Sequence, residues 1–410
     1  MAAQRFNKLL SHNSQSFTLI EMLITIAIIA VLMTVTVVAI NPNEMTKKAR
    51  DTQRLTDMSN LQMIMELARS EGMLNSSYCD GTKIYASLPS ETPLSNSNLP
   101  AGVSWAQVSR DNIRNADGTG WLPFNFKNLV GLQVSVLPVD PKNSLNDSLY
   151  YTFYCNPQRQ YIFTAYPESK TFGPKGGKDS KTIGDGGPDP YVYEVGNNLF
   201  ISPLKPVGSW SFEEGGGTIA ADSSGNNSNG TLMSGPTWTN GQVGGALSFD
   251  GSDDYVDINH NSTLMPLSIT VEGWIKFNPT ETGSWMLIDK GAGGNAGVYY
   301  LYSDNLSGCR WTIYGPTGTR YDAAYSMNFI PNNWYHLVGT FNASSSAMNL
   351  YINGELKSTT NNAVLGSNTS NVFLGRYVAG YYLDGLIDEV RIYNRALSAE
   401  EIKRHYEESK

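Results

Sequence analysis

Glu21 is the residue that most clearly asks for chemistry. It stands alone as a charge in a run of 24 residues from Phe17 to Ile40. A carboxylate at the middle of a membrane-spanning helix costs about 2.5–3.5 kcal/mol on the insertion scale, so its position implies a partner. Elsewhere reactive residues are sparse. The three cysteines, Cys79, Cys155 and Cys309, form no C-x-x-C, and His12, His260, His336 and His405 lie too far apart in sequence for a zinc-binding pair. Cys79 and Cys155 are candidates for one disulfide outside the cell, or for two buried thiols; Cys309 reads as a lone core residue. Retaining glycosidases need two carboxylates about 5–5.5 Å apart, commonly on alternate residues of a strand. No E-x-D occurs, Asp388 and Glu389 are adjacent, and no Ser-His-Asp grouping is visible. The sequence therefore points away from an enzyme.

The elements that must position these residues follow from patterning. Helical rise carries the run from Phe17 to Ile40 about 36 Å, enough to span a bilayer core. It is too long for the core of an ordinary signal peptide. Pro42 interrupts helical hydrogen bonding. Beyond it Met58, Leu61, Met65 and Ala68 share one helical face, Lys47, Arg50, Asp51, Arg54, Asp57 and Glu66 decorate the others, and Gly72 is a stop. Residues 73–148 are loop-rich. The stretch from Leu149 to Ser169 predicts two strands around a turn at Asn156-Pro157-Gln158. The glycine-rich stretch from Gly173 to Pro190 fails the phosphate-loop spacing, and Tyr191 to Val195 is a short closing strand. Two prolines between Ile201 and Gly208 mark a semi-rigid linker.

From Ser209 the texture changes to many short strands with turn signals, which predicts an antiparallel sandwich. Leu267, Ile269, Val271, Gly273, Ile275 and Phe277 alternate onto one face, and Asn353-Gly354 is the strongest hairpin signal. Ser398 with Glu401 forms a capping box ahead of a short helix. The chain of 410 residues has a net charge of −8; residues 208–410 hold 11 Lys+Arg and 20 Asp+Glu and account for −9. That acidity argues against a nucleic-acid partner.

Two resemblances carry the functional reading. Ser16-Phe17-Thr18-Leu19-Ile20-Glu21-Met22, after a short leader with Arg5 and Lys8 and before an apolar helix, resembles the N-terminal signature of type IV pilins and type II secretion pseudopilins. The resemblance implies that a membrane prepilin peptidase cuts between Ser16 and Phe17 and methylates the new amine. It also implies that Glu21 pairs with the Phe17 amine of a neighbouring subunit on assembly. Ser16 stands where the family usually has glycine; serine is small, which suits cleavage at a slower rate, and an uncut chain would remain a membrane-anchored protein. The helix beyond Asn41 and the strands around Cys155 resemble the pseudopilin spine and the sheet laid against it. In such proteins a late acidic loop can hold calcium, for which Asp179, Asp185 and Asp189 are oxygen donors, beside the alternative of a solvated loop.

Four stretches within residues 208–402, among them "GGALSFDGSDDYVDI" and "GLIDEVRIYNRALSAEEI", resemble a laminin-G-like, concanavalin A-type jelly roll. That resemblance implies a concave sheet, a structural calcium, and carbohydrate or protein binding. Candidate calcium donors are Glu213, Asp222, Asn226 and Asp388, with Asp222 and Asn226 alternatively capping a turn and Asp388 a salt link. Tyr381 and Tyr382 are the candidate exposed pair for ligand stacking; most other aromatics read as core.

The expected fold is thus an α+β pilin-like module, a long membrane-spanning helix with a small antiparallel sheet, followed by an all-β sandwich. The expected divisions are a leader at 1–16, a transmembrane helix at 17–41, an amphipathic spine at 42–72, a headgroup at 73–200, a linker at 201–207, the jelly roll at 208–402 and a tail at 403–410. The expected protein starts as a precursor in the cytoplasmic membrane and ends on a pilus or cell surface. Its expected partners are prepilin peptidase, other pilin or pseudopilin subunits, and a glycan or protein on another surface. The alternatives are a pseudopilin of a secretion or DNA-uptake system and a surface-anchored glycan-acting enzyme.

Overall fold

The computed structural model describes residues 18–278, 284–291, 298–303, 308–377 and 380–410, with side chains 34–40 excepted. The chain divides into two compact units, Met1–Ala49 and Arg50–Lys410. The first holds helix α1 (Leu19–Ile40) and the start of α2 (Pro42–Ser70). Asn41 separates them in the left-handed region at φ 44°, and Pro42 occupies the first helical position, where its missing N–H costs nothing. Among the described residues no helix is long and apolar enough to cross a membrane. The expected span extends over side chains 34–40, which lie outside the described set.

In the second unit α2 buries Met58, Leu61, Ile64, Met65 and Ala68 against a five-stranded sheet. Its strands are β1 (Lys83–Ala86), β2 (Ser104–Ala106), β3 (Thr152–Cys155), β4 (Tyr161–Ala165) and β5 (Tyr193–Gly196), in the order β2-β1-β3-β4-β5. The β1–β2 pair is parallel, the others antiparallel, so the sheet is mixed rather than antiparallel throughout. The charges of α2 also depart from expectation. Arg54, placed by pattern on a water-facing side, is 2% exposed and bonds Asp51 at 2.6 Å, Asp140 at 2.6 Å and Glu168 at 3.0 Å. A guanidinium removed from water needs this many carboxylates; against burial, Arg50 first and then Arg54 hold the Glu168 carboxyl at about 2. Asp57 is likewise covered and accepts from the Tyr151 hydroxyl at 2.8 Å. Cys79 and Cys155 are joined by a disulfide, and Cys309 is a buried free thiol.

The sandwich strands are β6 (Gly208–Trp210), β7 (Ile219–Ala220), β8 (Gly230–Met233), β9 (Thr237–Asn240), β10 (Gly245–Asp250), β11 (Tyr255–Ile258), β12 (Ile269–Phe277), β13 (Trp285–Lys290) and β14 (Tyr299–Ser303). They continue as β15 (Cys309–Tyr314), β16 (Arg320–Tyr325), β17 (Trp334–Asn342), β18 (Ala347–Ile352), β19 (Glu355–Thr360), β20 (Val372–Leu374), β21 (Arg376–Tyr377), β22 (Tyr381–Tyr382) and β23 (Asp384–Tyr393). A back sheet runs β19-β18-β17-β12-β23-β10-β9 with β6 also on β23. A front sheet runs β16-β15-β14-β13-β20-β11-β8-β7, and β21 and β22 form a ribbon. Ile269, Val271, Ile275 and Phe277 enter the core as alternation requires, whereas Leu267, ahead of the strand, is 74% exposed. The hairpin between β18 and β19 turns at Asn353 (φ 51°) and Gly354 (φ 76°), the pair of left-handed residues that a tight hairpin demands.

One irregularity in β23 organises the rest. Glu389 has φ 54°, and the register against β12 shifts between Glu272 and Trp274. This bulge inserts one residue, so Ile387, Val390 and Ile392 all reach the core. Asp388, Arg391 and Tyr393 remain free to occupy the other face with their register partners Trp274, Glu272 and Thr270. Helix α3 (Ala399–Ser409), with its capping box present, covers that outer face. Residues expected to form a tail are packed here: His405 and Ser409 are buried.

Candidate functional site

The two outer faces of the sandwich have different fates. The back face is closed by α3 and by the headgroup. Glu272 is fully buried there and accepts from His405 Nδ1 at 2.9 Å and the Tyr393 hydroxyl at 3.3 Å; His336 Nε2 lies at 3.7 Å and an Arg391 nitrogen at 3.6 Å. Against burial, His405 first and then His336 and Arg391 hold its carboxyl at about 2, while burial pulls His336 down to about 4. The headgroup joins this cluster through Tyr191, which stacks on His405 at 4.0 Å and whose hydroxyl accepts from an Arg391 N–H at 3.1 Å. Arg404 lies 4.0 Å over the Tyr166 ring, and Arg395 donates to the Leu204 carbonyl at 3.3 Å. Two of the histidines, His336 and His405, distant in sequence, thus converge on one carboxylate. No motif signals this, because the three residues come from β12, β17 and α3.

The front face carries a cavity of about 220 Å³. The pairings Tyr300↔Thr312, Tyr314↔Arg320 and Thr312↔Asp322 place alternate residues of β14, β15 and β16 on one side. Tyr377 and Tyr381 close it from the ribbon, and Met286 lines it from β13. Tyr300 meets Tyr314 and Tyr377 edge-on, each at 5.8 Å. Arg320 is held by Asp322 at 2.9 Å and by the Tyr302 hydroxyl at 2.6 Å. The buried Tyr300 hydroxyl has no hydrogen-bond partner among the described residues. Such a group costs about 1–3 kcal/mol when nothing satisfies it.

Sequence-predicted site residues are distributed as follows. Tyr381, 52% exposed, lines this cavity; Tyr382 alternates away and faces Tyr255, with ring centres 6.4 Å apart. Asp222 accepts from the amides of Ser209, Ser224 and Ser228 at 2.9–3.0 Å, and the Asn226 amide donates to the Val207 carbonyl at 2.9 Å. Both hold the 222–228 turn. Glu213 and Asp388 instead flank the 241–245 turn: Glu213 accepts from the Gly245 amide at 3.0 Å, and Asp388 Oδ2 from Gln242 and Val243 at 2.8 and 2.9 Å. Asp388 is fully buried, and its Oδ1 has no hydrogen-bond partner among the described residues. Burial pushes its carboxyl well above the usual range, and Glu213 adds to the rise. This arrangement fits a hard cation, which takes carboxylate and turn-carbonyl oxygens. Asp222 and Asn226 are spent on their own turn.

In the headgroup loop Asp179 is exposed, whereas Asp185, Asp189 and Glu194 gather. Asp189 donates its amide to Glu194 at 3.3 Å and Glu194 its amide to Asp185 at 2.8 Å. Burial pushes Asp185 up to about 7. Glu194 was not singled out by sequence because it reads as part of a strand. Asp250, Asp253 and Asp254 form a further acidic group. At the other end of the chain Glu21 Oε2 accepts from the Thr18 amide at 2.9 Å and its hydroxyl at 2.8 Å. Ser16 and Phe17 lie outside the described residues.

Comparison with known families places two segments. Residues 11–37 match the prokaryotic N-terminal methylation motif, and residues 250–403 match the concanavalin A-like lectin/glucanases superfamily in its laminin-G form. The chain therefore carries a prokaryotic N-terminal methylation motif and a laminin-G-like, concanavalin A-like domain. No curated protein matches. Among solved structures, the binding domain of Paraclostridial Mosquitocidal Protein 1 is similar at 18% identity, covering 49% of this chain and 51% of that one, with a TM-score of 0.40. The receptor binding domain of botulinum neurotoxin C/D mosaic serotype is similar at 20% identity, covering 49% and 51%, with a TM-score of 0.41. Domain 4 of AbnA, an extracellular arabinanase of Geobacillus stearothermophilus, is similar at 20% identity, covering 49% and 97%, with a TM-score of 0.40. The chain spans about half the length of the first two.

Proposed function

We propose that this chain is a cell-surface, pilin-like subunit that assembles through its N-terminal helix and displays its laminin-G-like domain for adhesion to carbohydrate or protein. The observation that carries the reading is the methylation motif over residues 11–37 with Glu21 inside it. On this reading prepilin peptidase cuts before Phe17, the helix from Phe17 to Asn41 inserts in the membrane, and Glu21 pairs with the Phe17 amine of the next subunit. The carboxylate is costly in lipid until that amine arrives, which makes assembly its relief. The role is binding rather than catalysis.

A calcium ion belongs to the same reading. Glu213 and Asp388 Oδ1 would hold it with carbonyls of the 241–245 turn, and its chemistry there is structural, neutralising a buried carboxylate. Mass spectrometry of the mature N-terminus tests the processing step: a methylated Phe17 is expected, and an intact Met1 overturns it. Calcium is tested by melting the full chain in detergent with and without chelator. A ligand at 100 times its Kd stabilises by about 2.7 kcal/mol, and unchanged melting removes calcium from the proposal.

A further inference from the structure

We propose that the front-face cavity seats a single terminal, neutral pyranose ring, with Tyr300 as the residue that reads its hydroxyls. The inference rests on the adhesion reading and deepens it by choosing the ligand class and the site. Four observations converge. The back face of the sandwich is occupied by α3 and the headgroup through His405, Tyr191 and Arg404, so the front face is the one that a distant surface can approach.

The cavity wall is built of aromatic rings whose polar atoms sit at their edges, Tyr300, Tyr314 and Tyr377 among them. A pyranose matches that pattern, offering C–H groups to ring faces and hydroxyls to ring edges. One of those polar atoms, the Tyr300 hydroxyl, is buried and lacks a partner among the described residues. A sugar hydroxyl can accept from the Tyr300 O–H or donate to its oxygen.

The charges select against an acidic sugar. Arg320 is the cation at the cavity, and Asp322 and the Tyr302 hydroxyl already engage it. A carboxylated ring would have to displace Asp322. The size selects one ring: about 220 Å³ lies below the ~300–1,000 Å³ of pockets that enclose drug-sized ligands. The ring therefore enters as a chain end rather than as an internal unit of a polysaccharide.

The full chain in detergent micelles is applied to an array of neutral oligosaccharides, the same backbones ending in uronic acids, and immobilised extracellular-matrix proteins. Tyr300→Phe and Tyr377→Ala are run beside the parent chain, with thermal melting to show that each is folded. Binding to neutral chain ends is expected, weakened about tenfold in Tyr300→Phe, which deletes one hydroxyl and keeps the ring. Glycan binding that both variants leave unchanged overturns the site while the adhesion reading stands. Preference for uronic acid ends overturns the neutral class. Binding to protein alone overturns the sugar and again leaves adhesion standing. Binding to nothing on the array overturns this inference and counts against the adhesion reading, while a methylated Phe17 would still stand for assembly.

Discussion

Replacing Glu272 by glutamine tests whether the buried cluster joins headgroup, α3 and sandwich into one cooperative body. The change keeps shape and removes the charge that faces His405, His336 and Arg391. Two routes give its size. Breaking a buried ion pair by removing one partner costs about 3–5 kcal/mol. Linkage gives a similar figure: the Glu272 carboxyl lies at about 2 against an ordinary 4.5, and 1.36 kcal/mol per pKa unit makes that about 3 kcal/mol. Because the folded value is the lower one, this stability is complete above pH 4.5 and disappears as pH falls toward 2. His336 acts in the same direction over a higher window. Its folded value of about 4 lies below the ordinary 6.5, so its contribution is complete above pH 6.5 and disappears as pH falls toward 4. The assay is urea unfolding of the full chain in detergent, followed by tryptophan fluorescence, from pH 7.5 down to pH 3. The parent is expected to weaken in both windows. Glu272→Gln is expected to start about 3 kcal/mol lower and to lose the decline below pH 4.5. A variant within 1 kcal/mol of the parent at pH 7.5 would refute the reasoning.

Other outcomes follow from the same geometry. Arg54→Met should lower headgroup stability by about 3–5 kcal/mol, since it removes the buried cation between Asp51, Asp140 and Glu168; urea titration checks it. Cys155→Ser opens a loop spanning 76 residues, which loop-closure entropy values at about 4.5 kcal/mol, so its melting should match that of the reduced parent. Gly339→Ala would place a Cβ 2.2 Å from the Trp311 ring, where over-packing costs about 1–3 kcal/mol or more; a lowered melting temperature is expected.

Features set by local pattern were legible in the sequence. The alternation of β12, the Asn353-Gly354 turn and the Ser398–Glu401 capping box are each decided within a few residues by periodicity or by a required φ. What was not legible depends on what lies opposite. Arg54 and Asp57 have the spacing of a solvated helix face, and only Asp140, Glu168 and Tyr151, far along the chain, turn that face inward. Glu272 and His405 are 133 positions apart, and nothing in either neighbourhood announces the other. Asp388 was singled out with Asp222 and Asn226, yet the 222–228 turn satisfies those two locally while the β23 bulge leaves Asp388 with Glu213. Tyr381 and Tyr382 show the period of two at its plainest: adjacent residues on a ribbon cannot serve the same cavity.

The junction at Tyr191, His405 and Arg391 also sets how the body bears tension. The two prolines between headgroup and sandwich mark a semi-rigid linker, and that segment is also bridged by Arg395 to Leu204 and Lys205 to Ser224, with Asn342 tying the sandwich to Ser97 of the headgroup. A pull on the front face is therefore shared among these lateral contacts instead of straightening the connector. The sandwich is a stiff bracket on the headgroup, and its front face is held at a fixed angle to the five-stranded sheet rather than at the end of a slack tether.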